Sequence, residues 1–265
     1  MARLRFTILG CGSSGGVPRL GGHWGACDPS EPRNRRRRCS LLVERATETG
    51  ATTVLIDTSP DMREQLLSAG TGHLDGVVWT HAHADHVHGI DDLRMIVFNR
   101  REMLDAWADD ATFAALTARF GYVFATPPGS SYPPILRRHP LDGPITVTGA
   151  GGPVTLLPIP VGHGDMDALG LRIGGLAYMP DVAAIPPASE DMLRDLDIWI
   201  LDALRRKPHP SHLSLEQSLA WIDRIAPARA VLTDLHNDLD WATLGAETPD
   251  HVTPAFDGMV IELDD

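Results

Sequence analysis

A cluster of metal-ligand residue types directly after a short apolar segment constrains this chain more than any other feature. An apolar strand is expected to end at Trp79, and the sequence THAHADH follows it. His81 and His83 are two residues apart in extended backbone, so both rings point to the same side. Imidazole and carboxylate are ligands that borderline divalent metals prefer. Asp85 and His86 begin the next turn and face a second ion, which gives a two-metal centre with the ions roughly 3.5–4 Å apart.

The rest of the chain indicates a layered α/β protein. The predicted strands are 3–10, 39–44, 53–57, 76–79, 154–159, 168–173, 175–179, 198–201, 229–233 and 258–263. The predicted helices start at Ser59-Pro60, cover 91–98, 111–120 and 188–196, and end with one opened by the capping box Ser214-Leu-Glu-Gln217. Each half runs from strands to helices. Two mixed sheets covered by helices satisfy this order, as a four-layered αββα sandwich forming a single domain over residues 1–265.

Composition and charge narrow the function. The formal net charge of -12 opposes binding of long nucleic acids, although a local cationic site still allows a small anionic substrate. No apolar run approaches the roughly 18 residues that span a bilayer, and the first residues lack a signal-peptide pattern. The three cysteines form no CxxC pair. We therefore expect a cytoplasmic protein with no membrane partner.

The ligand-type residues resemble the HxHxDH signature of the metallo-β-lactamase superfamily, and the likeness continues in PVGHG, AYMPD and VLTDLH further along the chain. The resemblance implies the αββα fold and two divalent metal ions, Zn²⁺ or alternatively Mn²⁺. The implied ligands are His81, His83 and His163 for one ion, Asp85, His86 and His236 for the other, and Asp181 for both. Asp57 and Asp234 each follow a strand. Each is either a hydrogen-bond partner of a ligand histidine or a helix N-cap.

Four further segments resemble the phosphoribosyl 1,2-cyclic phosphodiesterase subfamily of phosphonate degradation. They are GCGSSGGVP from Gly10, WGACD from Trp24, RRRRCS from Arg35 and IDTSPD from Ile56. Members of this subfamily cleave cyclic or simple phosphodiesters, and some carry a structural zinc on a cysteine cluster after the first glycine loop. Segment 21–27 of this chain has a single cysteine, so we expect no structural zinc.

The resemblance therefore predicts a metal-dependent phosphodiesterase in which a metal-activated water attacks phosphorus. His212 lies two residues before the predicted N-cap of a helix, where anions are favoured. We assign it as the phosphate-binding residue and general acid, a role worth about 10²–10⁴-fold in rate. His209 is its rival. Asp85 is assigned to catalysis as well as to metal binding.

Several alternatives stay open. The same centre can hydrolyse a thioester or lactone carbonyl, and a relative of the pyrroloquinoline-quinone accessory protein shares the glycine-rich opening. Processing of tRNA 3′ ends is opposed by the acidic net charge, and a metal-free binding or scaffold protein by the intact ligand set. The basic run 33–38 either steers a phosphate or lies in a solvated loop or subunit contact. Loop 126–140 is a candidate lid, and a homodimer is one possible assembly.

Overall fold

The computed structural model describes residues 3–264. Met1, Ala2 and Asp265 lie outside the described residues. The N-terminal segment, which we expect not to be a signal peptide, therefore begins outside them. Among the helices of the described part, none is long and apolar enough to cross a bilayer. The cytoplasmic location stays a prediction.

Two seven-stranded sheets make up the β-structure of residues 3–264. The strands are β1 (Arg3–Gly10), β2 (Ser40–Thr47), β3 (Gly50–Ile56), β4 (Gly76–Val78), β5 (Leu104–Ala108), β6 (Leu136–Pro140), β7 (Ile145–Gly149), β8 (Gly152–His163), β9 (Met166–Ile173), β10 (Leu176–Met179), β11 (Ile198–Asp202), β12 (Arg229–Thr233), β13 (Val252–Pro254) and β14 (Met259–Asp264). The first sheet has the order β14-β1-β2-β3-β4-β5-β6, and the second has the order β13-β12-β11-β10-β9-β8-β7. In the first sheet β3 pairs antiparallel with β2 and parallel with β4. In the second sheet β10 pairs antiparallel with β9 and parallel with β11. Both sheets are therefore mixed.

Helices alternate with the strands along the chain. They are α1 (Met62–Ala69), α2 (Ala84–Val87), α3 (Leu93–Arg100), α4 (Asp110–Phe120), α5 (Pro187–Glu190), α6 (Leu215–Ile225) and α7 (Trp241–Glu247). Short 3₁₀ turns occupy 32–34, 90–92, 121–123 and 191–193. Mixed sheets with helices confirm the predicted α/β class.

The described chain divides into two compact units. Unit 1 comprises 3–9, 40–155 and 260–264, and unit 2 comprises 10–39 and 156–259. Each unit has an apolar core of its own, around Trp79 and Phe113 in unit 1 and around Trp199 and Ile222 in unit 2. The single domain over 1–265 stays a prediction.

Parallel strands bring polar residues to one edge within each unit, because the carboxyl ends of neighbouring parallel strands lie side by side. In unit 1, Asp57 follows β3 and His81 follows the adjacent strand β4. In unit 2, Asp181, Asp202 and Asp234 stand at or just beyond the ends of β10, β11 and β12, which are consecutive parallel neighbours. All five side chains belong to residues that are less than 5% exposed.

Several predicted elements differ from the observed ones for local reasons. Helix α1 begins at Met62, because Ser59 caps a turn in which its hydroxyl accepts from the Asp61 amide. The helix expected over 188–196 stops early, since Asp195 adopts a positive φ of 53° after a 3₁₀ turn. Part of loop 126–140 is strand β6, paired parallel with β5. Strands β5, β7 and β13 and helix α7 were not predicted, whereas the capping box at Ser214 is confirmed.

Asp240, the N-cap of α7, joins this helix to the loop before β2. Its carboxylate accepts hydrogen bonds from the Thr243 amide and hydroxyl, from the Asp28 amide and from the Asn34 side chain, at 2.6–3.1 Å. Desolvation raises the pKa of Asp240, but these hydrogen bonds outweigh it and hold the pKa well below its ordinary value.

We expect Asp240→Ala to lower the free energy of unfolding by about 2 kcal/mol at pH 7, because one cap and two tertiary hydrogen bonds are lost. Since the pKa is depressed in the folded state, this contribution is present above the unfolded pKa of about 4 and declines as the pH falls below it. Urea unfolding at several pH values measures the difference. Exposed Asp250→Ala serves as the control, and an equal loss in both variants would contradict the assignment.

Candidate metal-binding site

The histidine loop of unit 1 leaves β4 in extended backbone. His81 Nε2 and His83 Nδ1 lie 3.1 Å apart, and the His83 side chain is partly exposed. With metal–nitrogen bonds of about 2.0–2.1 Å, this separation corresponds to a ligand–metal–ligand angle of about 100°, close to tetrahedral. The two rings are therefore spaced to share one ion without rearrangement of the loop.

Asp57 organises this loop from the end of the neighbouring strand. Its buried carboxylate accepts from the Thr80 amide, from the Thr80 hydroxyl and from His86 Nδ1, each at 2.8 Å. Because the Thr80 hydroxyl donates to Asp57, it accepts from His81 Nδ1 at 3.0 Å. One carboxylate thus orients His81 through Thr80, and His86 directly. The N-cap of α1 is Asp61, so the N-cap interpretation of Asp57 is wrong.

Two properties of Asp57 show that the fold holds it under constraint. Its φ is 63°, a conformation that costs energy in residues other than glycine and that clusters at functional sites. Burial raises the pKa of its carboxyl, while the charge and hydrogen bond of His86 oppose that shift. The ionised carboxylate of Asp57 is therefore stabilised by His86, the same imidazole that it orients.

Asp85 and His86 lie on the short helix α2. The nearest carboxylate oxygen of Asp85 is 3.7 Å from His86 Nε2, and His86 is fully buried. With Nδ1 engaged by Asp57, Nε2 is the ring nitrogen directed toward Asp85. The two residues present one nitrogen and one carboxylate to the same small region, and their binding to a single ion stays a prediction.

In unit 2, three carboxylates surround a histidine. Ligand atoms of Asp181, His212 and Asp234 all lie within 4.8 Å of one another. His212 Nδ1 donates to Asp202 Oδ2 at 2.9 Å and lies 3.2 Å from Asp234 Oδ2, while Nε2 is 3.9 Å from Asp181 Oδ2. Burial raises the pKa of the Asp202 carboxyl, and the hydrogen bond from His212 opposes the shift. The pKa of the Asp202 carboxyl therefore depends on its hydrogen bond with His212.

His163 is oriented by the loop that carries His212. Its Nδ1 donates to the Ser211 carbonyl at 2.6 Å, which directs Nε2 to within 3.5 Å of Asp181 Oδ2. Gly164 permits this approach: its φ is 68°, and a Cβ there would lie 2.7 Å from the Ser211 Cβ. The positions of His163 and His212 are thus coupled through Ser211.

His236 belongs to a loop held by the basic run. Its Nδ1 donates to Asp238 at 3.0 Å, and its Nε2 lies 2.5 Å from the Arg19 guanidinium. Arg36, only 2% exposed, donates to the carbonyls of His236 and Leu239.

The other arginines of the run also make contacts inside unit 2. Arg33 pairs with Glu31 and lies over Trp241, and Arg37 pairs with Asp257. These contacts and those of Arg36 show that much of the run builds structure. The solvated-loop interpretation of the whole run is therefore wrong. The phosphate-steering role stays a prediction.

The histidines of both units share a hydrogen-bonding pattern that fits the binding of a divalent metal. Metal-ligating histidines almost always donate their second ring N–H to a carboxylate, carbonyl or other acceptor. The acceptors are Thr80 for His81, Asp57 for His86, Ser211 for His163 and Asp238 for His236. In each case Nε2 is the remaining nitrogen. The chain therefore presents imidazole nitrogens and buried carboxylates, the ligand types that divalent metals bind.

Other features lie apart from these residues. An apolar cavity of about 960 Å³ in unit 1 is lined by α3 and by loop residues including Tyr122, Tyr132 and Ile135. None of the predicted site residues lines it. Cys27, in the segment where some relatives carry a structural zinc, is buried against the Leu239 carbonyl and Arg36.

Asp202, Ser211, Asp238 and Arg19 were not singled out from the sequence. Asp202 had a usable signal, since it ends the apolar strand IWILD in the same way that Asp57 ends TVLI. Ser211 acts through its carbonyl and Asp238 through a loop conformation, and neither leaves a sequence pattern.

Known proteins similar to this chain support the fold and the family. The Beta-lactamase superfamily domain matches residues 52–234. A crystal structure of a diphosphatase from the PhnP family is 35% identical, with a TM-score of 0.88, covering 99% of this chain and 98% of that one. Zn²⁺-bound PqqB from Methylobacterium extorquens has a TM-score of 0.72 at 19% identity, covering 98% of this chain and all of that one. These likenesses confirm the predicted metallo-β-lactamase-like fold.

A curated relative adds a different name. An octanoyltransferase of Porphyromonas gingivalis is 34% identical over 99% of this chain. The chain spans about half of that protein, 52% of its length. The likeness therefore concerns one part of a larger protein.

We expect Asp57→Asn to lower the free energy of unfolding of metal-free protein by about 2–4 kcal/mol, because the amide cannot accept from all three buried donors. Asparagine tolerates the positive φ, so the change isolates the carboxylate. Chemical denaturation measures the loss. The matched control is Asp61→Asn at the N-cap of α1, where we expect a loss below about 1 kcal/mol; equal losses would show that Asp57 is not the organising group.

Proposed function

Because this chain belongs to the metallo-β-lactamase superfamily and to its PhnP family, and is a metal-dependent hydrolase, we propose that it cleaves small cyclic or simple phosphodiesters. The observation that carries the proposal is the hydrogen bond between the partly buried His212 and the buried Asp202, beside Asp181 and just before the first turn of α6. The name of the PhnP-family diphosphatase likewise indicates hydrolysis at phosphorus.

We assign the metal ligands as the resemblance implies. In this assignment His81, His83 and His163 would hold one ion, Asp85, His86 and His236 would hold the other, and Asp181 would serve both. Zn²⁺ is the expected metal and Mn²⁺ the alternative, with support from the imidazole-rich donor set and from zinc in PqqB. When bound, the two ions supply Lewis-acid activation of a water molecule and of the phosphoryl oxygens.

His212 handles the proton of the leaving group. Asp202 accepts a hydrogen bond from Nδ1 and so fixes the ring orientation and stabilises the imidazolium. A proton on Nε2 is then available for the departing alkoxide oxygen. The Ser214 cap and the positive end of α6 favour the phosphate at the same place. His209 instead bonds to Ser211 through Nδ1, which leaves it the weaker candidate.

Asp85, which lies in unit 1, presents its carboxylate next to His86 Nε2. In the proposed arrangement it binds metal and accepts a proton from the attacking water. The substrate is a small molecule, so no long nucleic acid or membrane is required. The assembly state, including a homodimer, stays a prediction.

Carbonyl hydrolysis is the main competing chemistry. A thioester or lactone needs the same activated water but has a leaving group that departs with less help from an acid. The name octanoyltransferase belongs to a protein twice as long as the matched region, so acyl transfer is not assigned to this part. A role in cofactor biosynthesis, as the PqqB likeness suggests, would appear as product formation without diester cleavage.

We expect His212→Asn to lower kcat by about 10²–10⁴-fold for a diester with an alkoxide leaving group. The loss should be less than about tenfold for bis(p-nitrophenyl) phosphate, since p-nitrophenolate departs without protonation. Steady-state kinetics on both substrates measure the contrast. Equal losses on the two substrates would contradict the general-acid role.

Two controls separate this role from metal binding. His209→Asn changes the other histidine of the same loop and should leave kcat within about threefold, as expected for a residue outside the chemistry. Asp181→Ala should lose bound metal, whereas His212→Asn should retain it, as measured by elemental analysis. Metal loss in His212→Asn would make it a ligand rather than an acid.

A further inference from the structure

A tight turn carries an arginine to His236. Arg19 and His23 close the turn: the Arg19 amide donates to the His23 carbonyl, and the Gly22 and His23 amides donate to the Arg19 carbonyl, at 3.0–3.2 Å. Gly21 and Gly22 have φ values of 87° and 78°. Leu20 stands at the tip, 97% exposed. A backbone-braced turn thus presents a cation and an apolar side chain together.

The guanidinium occupies the nitrogen that is predicted to bind metal. Arg19 Nη2 lies 2.5 Å from His236 Nε2, and Nδ1 of the same ring is engaged by Asp238. Nε2 therefore accepts from Arg19 with its single lone pair. A metal ion and Arg19 cannot use that lone pair at the same time. In the loaded protein Arg19 must leave Nε2, while the braced turn keeps it nearby.

Arg19 differs from the neighbouring arginines in its partners. Arg33 and Arg37 pair with carboxylates, and Arg36 is committed to backbone carbonyls. Within residues 3–264, Arg19 has no carboxylate partner, and its guanidinium is bonded to a neutral ring. Its charge is permanent at any working pH. In a chain with net charge -12, an uncompensated cation at the site is what an anionic substrate needs.

We propose that Arg19 is the substrate-binding residue that selects anionic substrates, with Leu20 contacting the organic part of the molecule. This inference rests on the proposed phosphodiesterase function and names its recognition element. A guanidinium binds phosphate oxygens through two parallel N–H donors, which a lysine does not reproduce.

The test compares zinc-loaded wild type with Arg19→Met on charged and neutral substrates. We expect KM for bis(p-nitrophenyl) phosphate to rise at least about tenfold, since a charge-assisted bidentate contact is lost. We expect kcat to stay within about threefold, and KM for neutral p-nitrophenyl acetate to be unchanged. Arg19→Lys should recover only part of the affinity. Arg229→Met, which removes an exposed arginine at the opposite end of β12 from Asp234, is the control for a general loss of positive charge.

A second readout does not require diester turnover. Calorimetric titration of inorganic phosphate into the zinc-loaded proteins should give a Kd at least about fivefold higher for Arg19→Met than for wild type and Arg229→Met. Zinc should bind metal-free Arg19→Met more tightly than wild type, because a competing cation is gone. If diester cleavage fails but phosphate affinity depends on Arg19, the anion site stands without the proposed reaction. An unchanged phosphate Kd in Arg19→Met would overturn the inference.

Discussion

One buried carboxylate, Asp57, determines how the histidine loop can function. Without an acceptor, the Thr80 amide and hydroxyl and the His86 ring would be buried donors, each with a substantial desolvation cost. Asp57 accepts from all three. The rings of His81 and His86 therefore turn Nε2 away from the carboxylate, and the local fold and the ligand geometry follow from the same set of hydrogen bonds.

In unit 2, other acceptors bind the ring N–H groups of the histidines. Asp202 holds His212, the Ser211 carbonyl holds His163, and Asp238 holds His236. Three carboxylates of unit 2, those of Asp181, Asp202 and Asp234, lie at or just beyond the ends of parallel strands, where strand pairing fixes the backbone. The strand ends supply Asp181, Asp202 and Asp234, whereas His212 and His236 lie on loops and His163 is the last residue of β8. The chemistry therefore depends on loops that the sheets hold in position.

Much of this arrangement could be predicted from the sequence. The α/β class, the strand at Arg3–Gly10 and the capping box at Ser214 follow from periodicity and caps. The family, with its implied metal ligands, follows from motif order. The bond from His163 to a main-chain carbonyl could not be predicted, because a carbonyl carries no residue identity. The approach of Arg19 to His236 could not be predicted either, because these residues are 217 positions apart and their contact depends on tertiary structure.

The central claim is that His81, His86, His163 and His236 each donate a hydrogen bond through Nδ1 and direct Nε2 to metal. Nitrogen-15 NMR of the histidine rings in metal-free protein at mildly alkaline pH tests it most directly, since the two tautomers give distinct couplings. The account predicts Nδ1–H tautomers for His86, His163 and His236. Nε2–H tautomers at these three positions, or fast exchange between the two forms, would contradict it.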